Sequence, residues 1–173
     1  MEKIKLIIIF FSCLSLAQTE TYTNVDLVSI ENKGDSLYNA KKFTEASEYF
    51  KKLVTIDSEN FNYNFKYASS YGLYVESLPR FQQVKHVRDM IKYFENSLQL
   101  KPNHLGVNRA LLEIYLRVPR LFGGGNKKAK KILDNIYSFS IKEGKKAEEF
   151  FNNYWSKWVI YISYLSVEVL CIV

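Results

Sequence analysis

Apolar residues recur along most of the chain with the period of an α-helix, and small residues lie among them. Within residues 34–60, five apolar positions fall at i, i+3, i+4, i+7 and i+8, which is one face of a helix. They are Ala46, Tyr49, Phe50, Leu53 and Val54. A shorter apolar pattern containing Gly34 precedes them, and a turn at residues 39–42 lies between the two. Small residues placed where bulky ones need a gap let two antiparallel helices pack closely, so the pattern predicts a helix–turn–helix unit.

The same arrangement returns in a second unit. The segment YFKKLVTIDSEN, from Tyr49, is echoed by YFENSLQLKPNH, from Tyr93, in which Pro102 marks the end of a helix. Residues 61–75 predict a first helix that carries the small residue Ala68 among aromatic ones. A second helix follows with an apolar stripe. The stripe consists of Val87, Met90, Ile91, Phe94 and Leu98.

A third unit follows directly. Residues 105–116 predict its first helix, and the second helix again has apolar residues at i, i+3, i+4, i+7 and i+8. These are Ala129, Ile132, Leu133, Ile136 and Tyr137. The sequences LPRF at 78–81 and VPRL at 118–121 each stand between the two helices of a unit. We therefore expect a longer connector in both of these units.

The three units resemble the tetratricopeptide repeat (TPR), a helix–turn–helix module of about 34 residues. The resemblance covers residues 28–141, divided into units 28–60, 61–104 and 105–141. It implies an all-α fold, a TPR-like array of about three helix–turn–helix repeats with a C-terminal helix after it. The loop PRLFGGGNKKA, residues 119–129, is also similar to a turn in the helical-repeat component of tripartite periplasmic transporters.

In the TPR family, the first helices line a concave groove that takes a protein or peptide ligand. The resemblance carries this role to first-helix positions of each unit. They are Glu31, Asp35, Tyr38 and Asn39 in the first unit, Asn62, Phe65 and Ser69 in the second, and Arg109, Glu113, Leu116 and Arg117 in the third. The alternative is that these side chains are merely exposed. The basic clamp with which some relatives hold a C-terminal carboxylate is not reproduced, because Glu31 and Asp35 replace the expected donors.

No residue pattern typical of catalysis, metal binding or cofactor binding is present in the sequence. His86, near a predicted helix start, and His104, in a turn between units, are interpreted as solvated or capping residues. The segment GGGNKK at 123–128 lacks the P-loop spacing. Its glycines are interpreted as a sharp turn, and Asn126 as the cap of the next helix. The lysines that follow are expected on a solvated face and not in a nucleic-acid patch. Because catalytic and cofactor-binding motifs are also missing, we expect no enzymatic activity, no cofactor and no nucleic-acid partner.

The N-terminus has the layout of a secretory signal peptide. Lys3 and Lys5 precede a short apolar run that ends in Ser15-Leu16-Ala17. The run is shorter than the roughly 20 residues that a transmembrane helix needs. We expect residues 1–17 to be removed and residues 18–27 to form a polar linker. The alternative is a lipoprotein anchored at Cys13, although the residues before it form a poor lipobox.

The C-terminal segment, residues 142–173, is predicted to be a hydrophobic helix, and its last part, 158–173, is nearly all apolar. As a helix that last part would be roughly 24 Å long, which is short of the roughly 30 Å hydrocarbon thickness of a bilayer. It carries Glu168, and no basic residue follows it. We therefore favour a helix packed on the third repeat. The alternatives are the start of an incomplete fourth repeat and a tail that associates with a membrane.

The sequence thus predicts an exported TPR-type protein–protein interaction module or adaptor, periplasmic or secreted, without catalytic activity. Its formal net charge of +6 does not change this interpretation. The alternative is a small-ligand-binding or transport-accessory helical-repeat protein. A buried cavity lined by Tyr67, Tyr71 and Tyr115 would favour that alternative.

Export and cleavage can be tested directly. We expect the mature protein to begin at Gln18, because the basic start, the apolar run and Ala17 together form a signal peptide. N-terminal sequencing of the exported protein checks this. A mature protein that begins at a lipidated Cys13, or one that keeps Met1, would contradict it.

Overall fold

The computed structural model describes residues 24–154, which are arranged as consecutive helices with no strand in that range. Helices α1 to α6 are, in order, Asn24–Asn39, Phe43–Ile56, Phe61–Ser77, Arg80–Leu100, Leu105–Arg117 and Asn126–Phe139. A 3₁₀ turn, Arg120–Phe122, lies before α6, and residues 141–154 form a further helix, α7. The prediction of an all-α fold is confirmed, and the architecture is compatible with a helical-repeat array.

The first pair, α1 and α2, packs through small residues as expected. Ala46 is 0% exposed, and Phe50 and Leu53 are buried beside it. Gly34 on α1 approaches the Phe50 ring so closely that a Cβ atom there would lie 2.6 Å from Phe50 Cε1. Real Cβ atoms do not come that close to carbon, so this contact requires glycine.

The connector of the second pair differs from the prediction. α3 ends at Ser77 and α4 begins at Arg80, so only Leu78 and Pro79 join them and the expected longer connector is absent. Proline at this position lacks an N–H that the helix start would leave unpaired in any case. The Gln83 side chain donates to the Leu78 carbonyl at 2.8 Å and closes the turn. The additional residues lengthen α4 instead, so His86 lies within this helix and not at its start.

The third pair does have a long connector, and its glycines are necessary. Gly123 and Gly125 have φ of 101° and 111°, a region that favours glycine. Gly125 N–H donates to the Tyr115 carbonyl at 2.7 Å and ties the loop to α5. The prediction that Asn126 caps α6 is wrong, because Asn126 is the first helical residue and Gly125 precedes it without a side-chain cap. The loop backbone, held by α5, sets the helix start.

Each turn between units is closed by an asparagine of the helix that follows it, which the sequence pattern did not reveal. Buried Asn64 donates from Nδ2 to the carbonyls of Ser58 and Asn60, at 2.8 and 2.9 Å. Buried Asn108 donates in the same way to Pro102 and His104, at 2.8 and 3.0 Å. In each turn, two backbone carbonyls are therefore bonded by a side chain of the next first helix, and the second and third units begin alike.

The described part of the C-terminal segment packs on the third unit. Ala147 of α7 is buried in the main core, with Phe151 and Tyr154 partly buried against it. A Cβ at Gly144 would lie 2.4 Å from Tyr137 Cδ1 of α6, and Tyr137 OH donates to Glu148 at 2.6 Å. Residues 158–173, the apolar part, lie outside the described residues. Between residues 24 and 154, no helix is long and apolar enough to cross a membrane.

Candidate functional site

A groove lies between α3 and α5, with α4 beneath them. Its volume is about 340 Å³. Ser69 and Gly72 of α3 and Gly106 and Ala110 of α5 are the small residues of its walls. The floor is apolar and comes from the stripe of α4, namely Val87, Met90 and Phe94. We refer to this feature as the α3–α5 groove.

Small residues keep the groove open for a physical reason. A Cβ at Gly72 would lie 3.1 Å from Phe94 Cε2, so α3 approaches α4 closely at the floor. A Cβ at Gly106 would lie 3.1 Å from His104 Cε1 and 3.4 Å from Phe65 Cζ. Gly72 therefore brings α3 close to the floor, Gly106 leaves room for the His104 and Phe65 rings, and neither glycine adds a side chain to the walls.

One end of the groove is charged. Arg117 of α5 contacts Glu113 on its own helix at 2.5 Å and Glu76 of α3 at 3.4 Å. Gln83 of α4 lies at the same end of the lining. The side chains of Arg117, Glu113 and Glu76 are about half exposed, so their ion pairs add little stability. These charged groups are accessible from the solvent.

The other end is aromatic. Phe65 packs edge-on against the His104 ring, with centroids 4.7 Å apart, and Phe61 lies beside both. His104 Nδ1 accepts from the Val107 N–H at 3.3 Å, which caps α5 and confirms the capping interpretation. Burial, with the nearby charge of Lys101, lowers the pKa of His104. The neutral ring that the cap requires is thereby favoured.

Five of the first-helix residues selected from the family resemblance come together in this groove. They are Tyr38, Phe65, Ser69, Glu113 and Arg117. Asn39 and Asn62 are exposed elsewhere, and Leu116 is buried in the core. For Asn39 and Asn62, the alternative interpretation, that they are merely exposed, fits better than a place in the groove.

Glu31 and Asp35 serve a different purpose from the one expected. Lys66 of α3 donates to Glu31 at 2.7 Å and to Asp35 at 2.6 Å, and so joins α1 to α3. Burial alone would lower the pKa of Lys66, but hydrogen bonds and charge from Asp35 and Glu31 outweigh it, and the pKa is raised. These carboxylates hold the first two units together and do not line the α3–α5 groove.

Arg109 also lies outside the α3–α5 groove. It pairs with Glu143 of α7, and it lines a second hollow between α5 and α7 with Lys146 and Phe150. That hollow has a volume of about 270 Å³ and includes Glu113, which also lines the α3–α5 groove. The two hollows are therefore adjacent along α5.

The three tyrosines that would favour a small-ligand pocket do not form one. Tyr67 and Tyr71 pack with Tyr93, with centroids of 4.5 and 5.3 Å to its ring, and neither lines the groove. Burial, together with Asp89 and the neighbouring tyrosines, raises the pKa of Tyr71 to about 12, and its hydroxyl contacts His86 Nδ1 at 2.9 Å. Tyr115 instead donates to Glu95 at 2.5 Å.

Sequence reasoning missed two sets of groove residues, the small residues of the walls and the apolar residues of the floor. Gly72, Gly106 and Ala110 carry no polar group, so a search for contact chemistry passes over them. Val87 and Met90 were identified as core residues, and they reach the groove only because its walls are so small. Within residues 24–154 no three His, Cys, Asp or Glu side chains are grouped so that they could hold a metal ion.

No protein-family model matches this chain, and no curated protein matches it either. The resemblance to the TPR family therefore rests on the repeated sequence pattern.

The bridge at Lys66 predicts a particular pH dependence. The pKa of Lys66 is raised by folding, so its contribution to the free energy of unfolding is fully present below the unfolded pKa of about 10.4. It is lost as the pH rises through the folded pKa. We expect Lys66→Met to be less stable than the parent protein at neutral pH, with the difference shrinking only in strongly alkaline solution.

Urea unfolding of both proteins from neutral to alkaline pH measures this difference. Lys33→Met, which removes an exposed lysine of α1, is the matched control and should show no such convergence. A stability difference for Lys66→Met that stays constant through the alkaline range would contradict the assignment.

Proposed function

We propose that this chain is an exported helical-repeat protein of the TPR type that binds a protein or peptide partner in the α3–α5 groove and catalyses no reaction. The observation that carries the proposal is the shape and composition of the groove. It has an apolar floor, walls of small residues, an aromatic end and a charged end. This is the arrangement expected of a site that holds an extended or helical segment of another chain.

Each part of the groove suits a different part of such a ligand. Met90 and Phe94 offer apolar surface to an anchoring side chain. Ser69 and the bare backbone at Gly72 and Gly106 allow the ligand main chain to approach. Arg117, held between two carboxylates, can exchange one of them for a group on the ligand, which would fix its direction.

A small apolar ligand is the second candidate. The groove volume of about 340 Å³ lies at the lower end of the range for small-molecule sites, roughly 300–1,000 Å³. This volume favours the small-ligand hypothesis, which would suit a transport-accessory protein. The tyrosine cavity that would have supported it more strongly is not formed.

The groove can be blocked without removing core contacts. Ala110→Phe places a ring in the groove from the wall of α5, and we expect it to weaken partner binding by about 2 kcal/mol or more, as at a binding hot spot. Affinity purification of the full chain from the envelope fraction, with mass spectrometry of the co-purifying proteins, identifies the partner. Calorimetry then compares the variants.

Lys130→Ala is the matched control, since Lys130 is exposed on α6 away from the groove and should change binding little. Circular dichroism establishes that both variants keep the same helical content. A partner that binds Ala110→Phe as tightly as the parent protein would place binding elsewhere. Native mass spectrometry that detects a small molecule, lost from Ala110→Phe, would favour the second candidate.

A further inference from the structure

A stripe of α4 is apolar and basic but faces outward. Phe81, Val84 and Arg88 follow one another at i, i+3 and i+7, so they share one face of the helix. Phe81 is 74% exposed and Val84 is 46% exposed. The core stripe of α4, which includes Val87 and Ile91, lies beside these positions on the helix. Phe81 and Val84 are at its outer edge, so much of their apolar surface is left outside the core.

The connector before α6 continues this surface. Arg88 Nη2 donates to the Leu121 carbonyl at 3.0 Å, and the Leu121 side chain is 75% exposed. The local sequences repeat, because Pro79-Arg80-Phe81 and Pro119-Arg120-Leu121 each present an arginine followed by an exposed apolar residue. Two units thus contribute the same kind of projection to one side of the molecule.

Unpaired cations adjoin these apolar residues. Two neighbouring hollows lie here, one lined by Arg88 and Leu121 and a larger one lined by Lys127 and Lys131. Arg120 and Lys128 line both hollows. Lys128 is paired with Glu95 at 3.0 Å. Within residues 24–154, Arg120, Lys127 and Lys131 have no carboxylate within ion-pair distance. The positive charge on this side is therefore largely uncompensated.

Other cations near the groove are paired. Arg117, at its charged end, lies between Glu113 and Glu76, and Lys66, outside the groove, lies between Glu31 and Asp35. Arg120, Lys127 and Lys131 differ from these two in being a cluster without a carboxylate partner among residues 24–154. A surface that combines clustered lysine and arginine with protruding apolar side chains has the composition of a membrane-surface contact.

We propose that this basic–apolar face, formed by Phe81, Val84, Arg88, Arg120, Leu121, Lys127 and Lys131, docks on the anionic surface of a lipid bilayer. The cations contact lipid phosphates, and Phe81 and Leu121 enter the interface between headgroups and acyl chains. The proposal does not depend on a partner in the α3–α5 groove.

The end of the described chain favours a lipid over an acidic protein as the occupant. Tyr154 lines the same hollow as Arg120, Lys127 and Lys131. The sequence that follows, residues 155–173, has only two charged side chains, Lys157 and Glu168. The last described residue before this apolar sequence thus borders the basic–apolar face. Peripheral docking through the folded face does not require that segment to cross the bilayer.

Vesicle co-sedimentation of the full mature chain tests the proposal. We expect binding to vesicles that contain phosphatidylglycerol, much weaker binding to pure phosphatidylcholine vesicles, and a fall in binding as salt increases. The triple variant Arg120→Gln, Lys127→Gln, Lys131→Gln should bind roughly a hundredfold more weakly, at roughly fivefold for each cation removed. The double variant Phe81→Ser, Leu121→Ser should also bind more weakly at high salt, where the apolar contact carries more of the affinity.

The control variant Lys33→Gln, Lys51→Gln, Lys142→Gln removes the same charge from exposed positions outside the face and should bind nearly as the parent does. The proposal is overturned if the first triple variant binds like the control, if neutral and anionic vesicles bind equally, or if no vesicle binds. Retention on immobilised polyglutamate without vesicle binding would also overturn it and assign the face to an acidic protein.

Discussion

The close approach of paired helices is the constraint on which the rest of the structure depends. Gly34 meets the Phe50 ring, Gly72 meets Phe94, and Gly144 meets Tyr137, each at a distance that leaves little or no room for a Cβ atom. A glycine within a helix costs about 1 kcal/mol relative to alanine. Burying an aromatic ring such as Phe50 gains about 1.5–3 kcal/mol, which offsets that cost only if the helices come close enough to cover the ring.

The same constraint shapes the groove. Gly72 touches the α4 ring that forms the floor and also belongs to the wall, so one residue sets both the depth and the width of the site. A methyl group there would require the Phe94 ring to shift by a few tenths of an ångström, and a larger side chain would also occupy part of the groove. The packing of the second unit and the shape of the α3–α5 groove are therefore not independent. Small residues, glycine and alanine, set the dimensions of the groove. Its charged end and its aromatic end differ chemically, so the groove has two distinct ends.

Much of the fold could be predicted from the sequence, because helical periodicity reports burial directly. Ala46, Phe50 and Leu53, and likewise Ala129, Ile132 and Ile136, are buried as their spacing indicates. The connector at Leu78-Pro79 was misjudged because proline is equally suited to a loop and to a helix start. The repeated Asn64 and Asn108 could have been found, since each lies four residues after the end of one of the two matching segments.

The site was only partly predictable. Tyr38, Phe65, Ser69, Glu113 and Arg117 could be selected because first helices supply the groove. Asp35 and Arg109 could not be distinguished from them, since their ionic partners Lys66 and Glu143 lie on neighbouring units, far away in the sequence. A single sequence shows which residues carry charge, but the pairing across units follows from how the helices stack.

A double-mutant cycle at Gly34 and Phe50 tests the central constraint most directly. In the parent protein, Gly34→Ala should destabilise through overpacking, by about 1–3 kcal/mol. In the Phe50→Leu background, the two ring atoms nearest to the new methyl group, Cε1 and Cζ, are gone. Gly34→Ala should therefore be neutral or stabilise by up to about 1 kcal/mol through helix propensity. Urea unfolding of the four proteins gives the coupling energy. Equal effects of Gly34→Ala in both backgrounds would contradict the account.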